Sequence, residues 1–196
     1  PDRGMKALMN LYRNLVATAT TALLASGCAS LTTPAYSPHY ESIDRLKTMD
    51  LARMSVGEAQ PRDPNAAVNK ITLRGAPLTS PRGTFAAYLE HAIRSDLTEM
   101  GFHDPASTTR VDATLLKNDI DVSGTSTGLG VMEVKLAIRK KGALAFEKVY
   151  VANTQFESSL AGAVAIPKGQ YEYPNLVRVL LQKVYGDPAF IAAVKK

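Results

Sequence analysis

The chain has 196 residues, with 23 Lys and Arg against 18 Asp and Glu, giving a formal charge of +5. This length fits one domain that can bury its own core. The basic residues are dispersed, whereas nucleic-acid-binding proteins cluster them, so we expect no nucleic-acid partner. Cys28 is the only cysteine, which excludes an intramolecular disulfide. We also expect no cofactor and no bound metal.

Residues 1–27 have the order of a secretory signal peptide. Lys6 and Arg13 are followed by the mostly apolar run 15–24 and then by small residues. A membrane-spanning helix needs about 20 apolar residues, so a run half that length is an h-region and not an anchor. The sequence contains no second long apolar run. It therefore predicts a signal peptide at 1–27.

The segment Ala25-Ser26-Gly27-Cys28 resembles the lipobox of bacterial lipoproteins. The usual pattern has Leu where Ala25 stands, and here Leu24 lies one position earlier. The resemblance implies that Cys28 carries a thioether-linked diacylglycerol and a third acyl chain, typically palmitate. The alternative is an ordinary signal peptide with an incidental cysteine.

Lipid on Cys28 would make the membrane a direct partner of the chain. One acyl chain binds bilayers marginally, whereas two or more anchor a protein stably. Ala29 follows the cysteine where an Asp favours inner-membrane retention in enterobacteria, so the resemblance implies the periplasmic face of the outer membrane. Pro34 and Pro38 predict an irregular tether over 28–40. A single domain is predicted over 41–196.

Hydrophobic periodicity and turn residues predict the elements of this domain. In chain order they are a short helix at 41–48, strands at 49–59 and 70–74, a loop at 75–83, a helix at 84–100, strands at 110–122, 129–140 and 143–157, a loop at 158–169, a helix at 174–185 and a last short helix from 188. The three long strands form an antiparallel meander with one wet face. The predicted fold class is α+β, an antiparallel sheet of about four strands with two main helices packed on one face.

Few residues suggest catalysis. The candidates are His39, His91, His103 beside Asp104, the pair Asp119 and Asp121, and the segment Gly128-Leu129-Gly130. No nucleophile, base and orienting group can be placed at supporting spacing, and no third oxygen ligand completes a calcium loop. The glycines lie between strands, so a phosphate site there would lack its helix N-terminus. We therefore predict no catalytic residue and no enzyme.

A tyrosine pair is the candidate for partner contact. Tyr171 and Tyr173 flank Glu172 just before Pro174, and tyrosine is enriched at protein interfaces. Alternatively, the pair caps a sheet edge. The loops 75–83 and 158–173 each precede a main helix, and if both helices pack on one face they could form a single surface.

The order of a helix at 84–100, a meander at 110–157 and a helix at 174–185 resembles that of ABC-transport auxiliary lipoproteins and related outer-membrane lipoproteins. This resemblance implies a non-enzymatic binding or accessory subunit of a periplasmic or outer-membrane complex, with an envelope protein as partner. The alternative is a lipid-anchored hydrolase. That alternative requires His103, or Asp119 with Asp121, inside a concave polar site.

Overall fold

The computed structural model describes residues 31–196, which form seven strands, four α-helices and one 3₁₀ turn. The strands are β1 (Leu31–Thr32), β2 (Ser55–Val56), β3 (Ile71–Leu73), β4 (Ala76–Thr79), β5 (Thr109–Asp121), β6 (Thr127–Lys140) and β7 (Ala143–Glu157). The helices are α1 (Tyr40–Lys47), α2 (Phe85–Glu99), α3 (Gly162–Gly186) and α4 (Pro188–Ala193), with the 3₁₀ turn at Ala67–Asn69.

The main sheet has the strand order β2-β5-β6-β7. β5, β6 and β7 pair antiparallel, and β2 pairs parallel to β5. A smaller sheet has the order β1-β4-β3. The α+β class, the four-stranded sheet and the two main helices, α2 and α3, are confirmed. The predicted strand 49–59 is much shorter than expected, because only Ser55–Val56 joins the sheet while Met54 and Gln60 make single bridges.

The core lies between one face of the main sheet and the helices α2 and α3. Alternate residues of β5 and β6 point into it, as period-two patterning requires. Leu89 of α2 is 0% exposed and Leu180 of α3 is 1% exposed, so both predicted helix faces are buried. The opposite face of the sheet is wet and carries the exposed side chains of Leu129, Val149 and Val151.

Helix α2 begins and ends where the sequence predicts. The Thr84 hydroxyl accepts a hydrogen bond from the Ala87 N–H at 3.0 Å, which satisfies one of the free donors of the first turn. Gly101 follows the helix with a φ of +79°, the left-handed conformation that a glycine adopts without a Cβ clash. These two signals set the helix ends independently of tertiary packing.

Helix α3 starts at Gly162, well before the predicted start at Pro174, so the predicted loop 158–169 is wrong over most of its length. Pro167 and Pro174 both lie inside the helix, where each removes a backbone hydrogen bond. Burial outweighs this loss, because Ala165 and Gly169 lie one turn apart and both are buried. A Cβ on Gly169 would come within 2.6 Å of Val122 Cγ1, so a glycine is needed for this close approach.

The predicted loop 75–83 is also partly wrong, because Ala76–Thr79 forms strand β4. β3 and β4 are joined by Arg74 and Gly75, with φ values of 52° and 84°. A two-residue turn with both φ values positive matches the right-handed twist of a hairpin. Pro77 is the reason that the sequence predicts a loop here and not a strand. Pro77 is not one of the two residues of β4 that pair with β1. The β1–β4 ladder therefore loses no hydrogen bond through its missing N–H.

The predicted tether needs correction as well, since residues 31–40 lie against the domain. Leu31–Thr32 pairs parallel with β4, and the Gln170 Nε2 of α3 donates to the Thr32 carbonyl at 2.7 Å. Tyr36 is buried and donates to the carboxylate of Asp96 in α2, 3.0 Å from each oxygen. Residues 33–39 have no regular secondary structure, as Pro34 and Pro38 predict, but pairing with β4 and burial of Tyr36 hold the segment on the domain. Residues 28–30 lie outside the described part of the chain.

Asp96 is the titratable group at the centre of this N-terminal contact. It is 1% exposed, and burial raises its pKa to about 6 against the opposing effect of the hydrogen bond from Tyr36. The pKa in the folded state thus lies above the ordinary value of 3.8. Folding favours the protonated form, so the contribution of Asp96 to stability is full below about pH 4 and is lost as the pH rises through 6.

Replacing Asp96 by Asn should remove this pH dependence. Relative to the parent protein, Asp96→Asn should gain about 2–3 kcal/mol of unfolding free energy between pH 4 and pH 7, since one pKa unit corresponds to about 1.4 kcal/mol. Urea unfolding of both proteins at each pH unit measures the difference. A stability difference that stays constant over this range would show that Asp96 does not titrate with a raised pKa.

Candidate functional site

A groove opens between the end of β7 and the first turns of α3, and we call it the β7–α3 groove. It encloses about 360 Å³. Its lining residues are Phe156, Glu157, Pro167, Lys168, Tyr171 and Glu172. The groove exists because α3 starts early, since a loop over 158–169 would give it no second wall.

Phe156 forms the apolar floor of the β7–α3 groove. Its ring occupies the space above Gly128 of β6, where an added Cβ would lie 2.4 Å from the ring. Lys168 and Glu157 meet across the rim at 2.7 Å. Glu157 is 83% exposed, and exposed ion pairs contribute little to stability. A partner with charged side chains can therefore replace this ion pair at little cost and enter the groove.

The two tyrosines predicted to contact a partner lie in different environments. Tyr171 is 67% exposed at the groove rim. Tyr173 is fully buried, with its ring 4.6 Å from that of Phe85 and 5.3 Å from that of Tyr88. Residues two apart on a helix point in nearly opposite directions, so one tyrosine faces solvent when the other faces the core. The prediction of a shared surface is therefore wrong for Tyr173.

β7 is an edge strand of the main sheet, because no other strand within residues 31–196 pairs with its outer side. Lys183 Nζ of α3 donates to the Val151 carbonyl at 2.7 Å, which covers the middle of this edge. Backbone groups of alternate residues point to the same side of a strand. The amides and carbonyls of Asn153 and Gln155 therefore also point to the outer edge, next to the β7–α3 groove.

Arg74, which precedes the predicted loop 75–83, contacts the start of the predicted loop 158–173 through its side chain. This residue sits in the β3–β4 turn, and its guanidinium donates to the Val122 carbonyl at 2.9 and 3.0 Å. It also donates to the carbonyls of Ser159, at 2.7 Å, and Leu160. These bonds hold the segment before α3 against the small sheet and so fix where the helix begins.

The candidate catalytic residues do not form a constellation. His91 lies 2.6 Å from an Arg82 guanidinium nitrogen, and burial together with Arg82 lowers its pKa. Asp104 accepts a hydrogen bond from the Ala106 N–H, so its carboxylate stabilises the local turn and does not orient His103. His39 is close to Gln182 of α3, 3.3 Å from its amide nitrogen.

The paired carboxylates lie on the wet face of β5. Asp119 and Asp121 are both exposed. Asp121 accepts from the Ser123 N–H at 2.7 Å, and this bond lowers its pKa. Over residues 31–196, no cluster of three or more His, Cys, Asp or Glu could hold a metal ion.

The glycines at 128 and 130 leave room for neighbouring side chains. A Cβ on Gly130 would lie 2.5 Å from Thr154 Oγ1 and 3.4 Å from Leu176 Cδ2 of α3. Sequence reasoning missed that these glycines admit Phe156 and α3. A signal was present in the spacing of Ala165, Gly169 and Tyr173, which lie four residues apart and mark one helix face.

In the part of the chain that the structure describes, no helix is both long and apolar enough to cross a bilayer. The predicted lipidation site Cys28 and the predicted signal peptide at 1–27 lie outside the described residues.

No protein-family model matches the chain, and no curated protein matches its sequence. The fold is similar to solved structures. A Xanthomonas campestris protein of family DUF330 matches with a TM-score of 0.51 and 10% identity, over 79% of this chain and 93% of that one. A minor lipoprotein from Acinetobacter baumannii gives a TM-score of 0.45 and 12% identity, over 74% and 96%. The likeness to the Xanthomonas protein establishes a shared fold.

Proposed function

We propose that this chain is a lipid-anchored envelope protein that acts by contact, as an accessory subunit of a periplasmic or outer-membrane complex. Cys28 would carry the lipid, and the β7–α3 groove would bind a protein partner. The observation that carries the proposal is Tyr171, a large aromatic side chain that is two-thirds exposed at the rim of an apolar groove. Tyrosine supplies rigid contact area at a small entropy cost.

The groove and the edge of β7 together favour an extended segment as the occupant. A strand added beside Asn153 and Gln155 would pair with the backbone groups that point outward there. Its alternate side chains would then reach the floor formed by Phe156 and the flank formed by Tyr171. The occupant we propose is an extended segment of an envelope protein that carries an apolar side chain for this floor.

The position of β1 limits how far the predicted lipid anchor can lie from the β7–α3 groove. Only Ala29 and Ser30 separate Cys28 from Leu31, and these three steps along the chain span at most about 10 Å. β1 is held beside α3, because Gln170 bonds the Thr32 carbonyl at 2.7 Å. Tyr171 is the next residue along α3. A lipid on Cys28 would therefore keep the β7–α3 groove close to the bilayer surface, where it would meet a membrane-associated partner.

Replacing Cys28 by Ser should abolish membrane attachment, because an alcohol cannot form the thioether. We expect the parent protein in the membrane fraction, at outer-membrane density in a sucrose gradient, and Cys28→Ser in the soluble or unprocessed fraction. Mass spectrometry of the parent should show acyl chains on Cys28. Identical fractionation of the two proteins would rule out lipid anchoring through this residue.

Tyr171 should contact the partner in cells, and Tyr40 provides a matched control. Tyr40 is 55% exposed on α1, outside the groove. A photo-crosslinking residue at position 171 should give a discrete adduct within an extended segment of one envelope protein, whereas position 40 should not.

The affinity for the purified partner then tests the same contact quantitatively. Tyr171→Ala should weaken binding about 5- to 30-fold, the range for an interface aromatic residue. Tyr40→Ala should leave it unchanged, and both variants should keep the melting temperature of the parent. Equal dissociation constants for the parent and Tyr171→Ala, or adducts shared by positions 171 and 40, would refute the groove as the contact surface.

A further inference from the structure

A second hollow lies at the other end of β7, on the wet side of the main sheet, and we call it the cationic hollow. It encloses about 450 Å³. Its lining residues are Ser55, Ser107, Thr108, Arg110, Arg139, Lys141 and Gly142. The start of β5 and the turn between β6 and β7 bring these residues together.

Three cations line this hollow, and one carboxylate partly neutralises them. Asp112 Oδ1 lies 2.8 Å from Arg110 Nε, and its Oδ2 lies 3.1 Å from Arg139 Nε. Lys141 has no carboxylate partner among residues 31–196. The cluster therefore keeps two uncompensated positive charges. Asp112 also accepts from Arg110 Nη2 at 3.1 Å, and Arg139 Nη1 donates to the Gly142 carbonyl at 3.4 Å. Arg110 Nη1 and Arg139 Nη2 make no hydrogen bond within residues 31–196, so their N–H groups remain available.

The charges are held in place by the surrounding backbone. Lys141 and Gly142 occupy the β6–β7 turn with φ values of 52° and 84°, and the Lys141 N–H donates to the Thr108 carbonyl at 2.9 Å. The Ser55 hydroxyl donates to the Ser107 carbonyl at 3.0 Å, which ties β2 to the same wall. The hydroxyl of Thr108 makes no hydrogen bond within residues 31–196 and can donate to a ligand.

Gly57 makes room for the carboxylate that organises the two arginines. A Cβ at this position would lie 2.1 Å from Asp112 Oδ1 and 3.4 Å from Arg110 Nε. The glycine thus permits Asp112 to sit between Arg110 and Arg139 and to align both guanidinium groups. The arrangement is supported by an element outside the hollow, which distinguishes it from lysines and arginines scattered over a surface.

We propose that the cationic hollow binds the phosphate group of a phosphate ester. Guanidinium groups match phosphate oxygens through paired N–H donors, and an ammonium adds a point charge. Arg110, Arg139 and Lys141 supply these donors, and Thr108 supplies a hydroxyl. A volume of about 450 Å³ leaves room for the organic part of the ester. The ester is either a small soluble molecule or the headgroup of an anionic phospholipid.

Two probes test the site and separate these sources. The first is glycerol 3-phosphate, titrated calorimetrically into the full lipidated protein in neutral detergent. The second is a vesicle of phosphatidylglycerol, compared with phosphatidylcholine, in sedimentation with the Cys28→Ser protein. The Arg139→Gln/Lys141→Gln variant removes two donors of the hollow. Lys70→Gln removes an exposed cation elsewhere and is the matched control. Circular dichroism confirms that each variant folds.

The proposal predicts saturable binding of glycerol 3-phosphate. An affinity that falls at least about tenfold in the double variant, but not in Lys70→Gln, supports the site with a soluble ester as its ligand. The same pattern for phosphatidylglycerol vesicles supports the site with a lipid headgroup as its source. Binding of neither probe overturns the proposal. Equal losses in the double variant and in Lys70→Gln also overturn it, because they would show attraction by net charge alone. A Lys141→Gln single variant repeats the comparison if the double variant fails to fold.

Discussion

The close contact between α3 and the main sheet is the interaction on which the rest of the structure depends. Gly169 brings the helix against Val122, and Gly130 leaves room for Leu176. A proline inside a helix costs about 3 kcal/mol. Each fully buried large apolar side chain contributes about 1.5–3 kcal/mol. α3 buries such residues over its second half, from Tyr173 to Val184, while Ala165 and Gly169 pack its first half. Burial therefore holds a proline-containing segment in a helix, which in turn forms one wall of the β7–α3 groove.

The same contact organises the N-terminal segment and places the two surfaces. Gln170 holds β1 beside α3, and the β7–α3 groove lies along the same helix. The cationic hollow lies at the opposite end of β7, a strand of about 45 Å at 3.3 Å per residue. The two proposed sites are therefore far enough apart to bind different ligands without competing.

Sequence reasoning succeeded where local signals act alone and failed where tertiary packing overrides them. The cap at Thr84, the glycine after α2 and the alternation of β6 specify their elements locally, and these elements were predicted within a few residues. Pro167 and Pro77 indicated loops, yet the structure has a helix and a strand there. Of the candidate site, Tyr171 was predicted, while Tyr173 was misplaced because its environment depends on the earlier helix start. The cationic hollow joins residues from β2, β5 and β6, and no single stretch of sequence reveals that convergence.

Hydrogen exchange of the first turns of α3 tests the central contact most directly. If packing on the sheet holds this segment helical, the amides of Ala165 and Gly169 should exchange at least about 10³-fold more slowly than those of the turn 123–126. They should also open together with the amide of Leu180 in the second half of the helix. Exchange of the Ala165 and Gly169 amides at the rate of the turn, with Leu180 still protected, would contradict this picture, because the groove would then lack a stable wall.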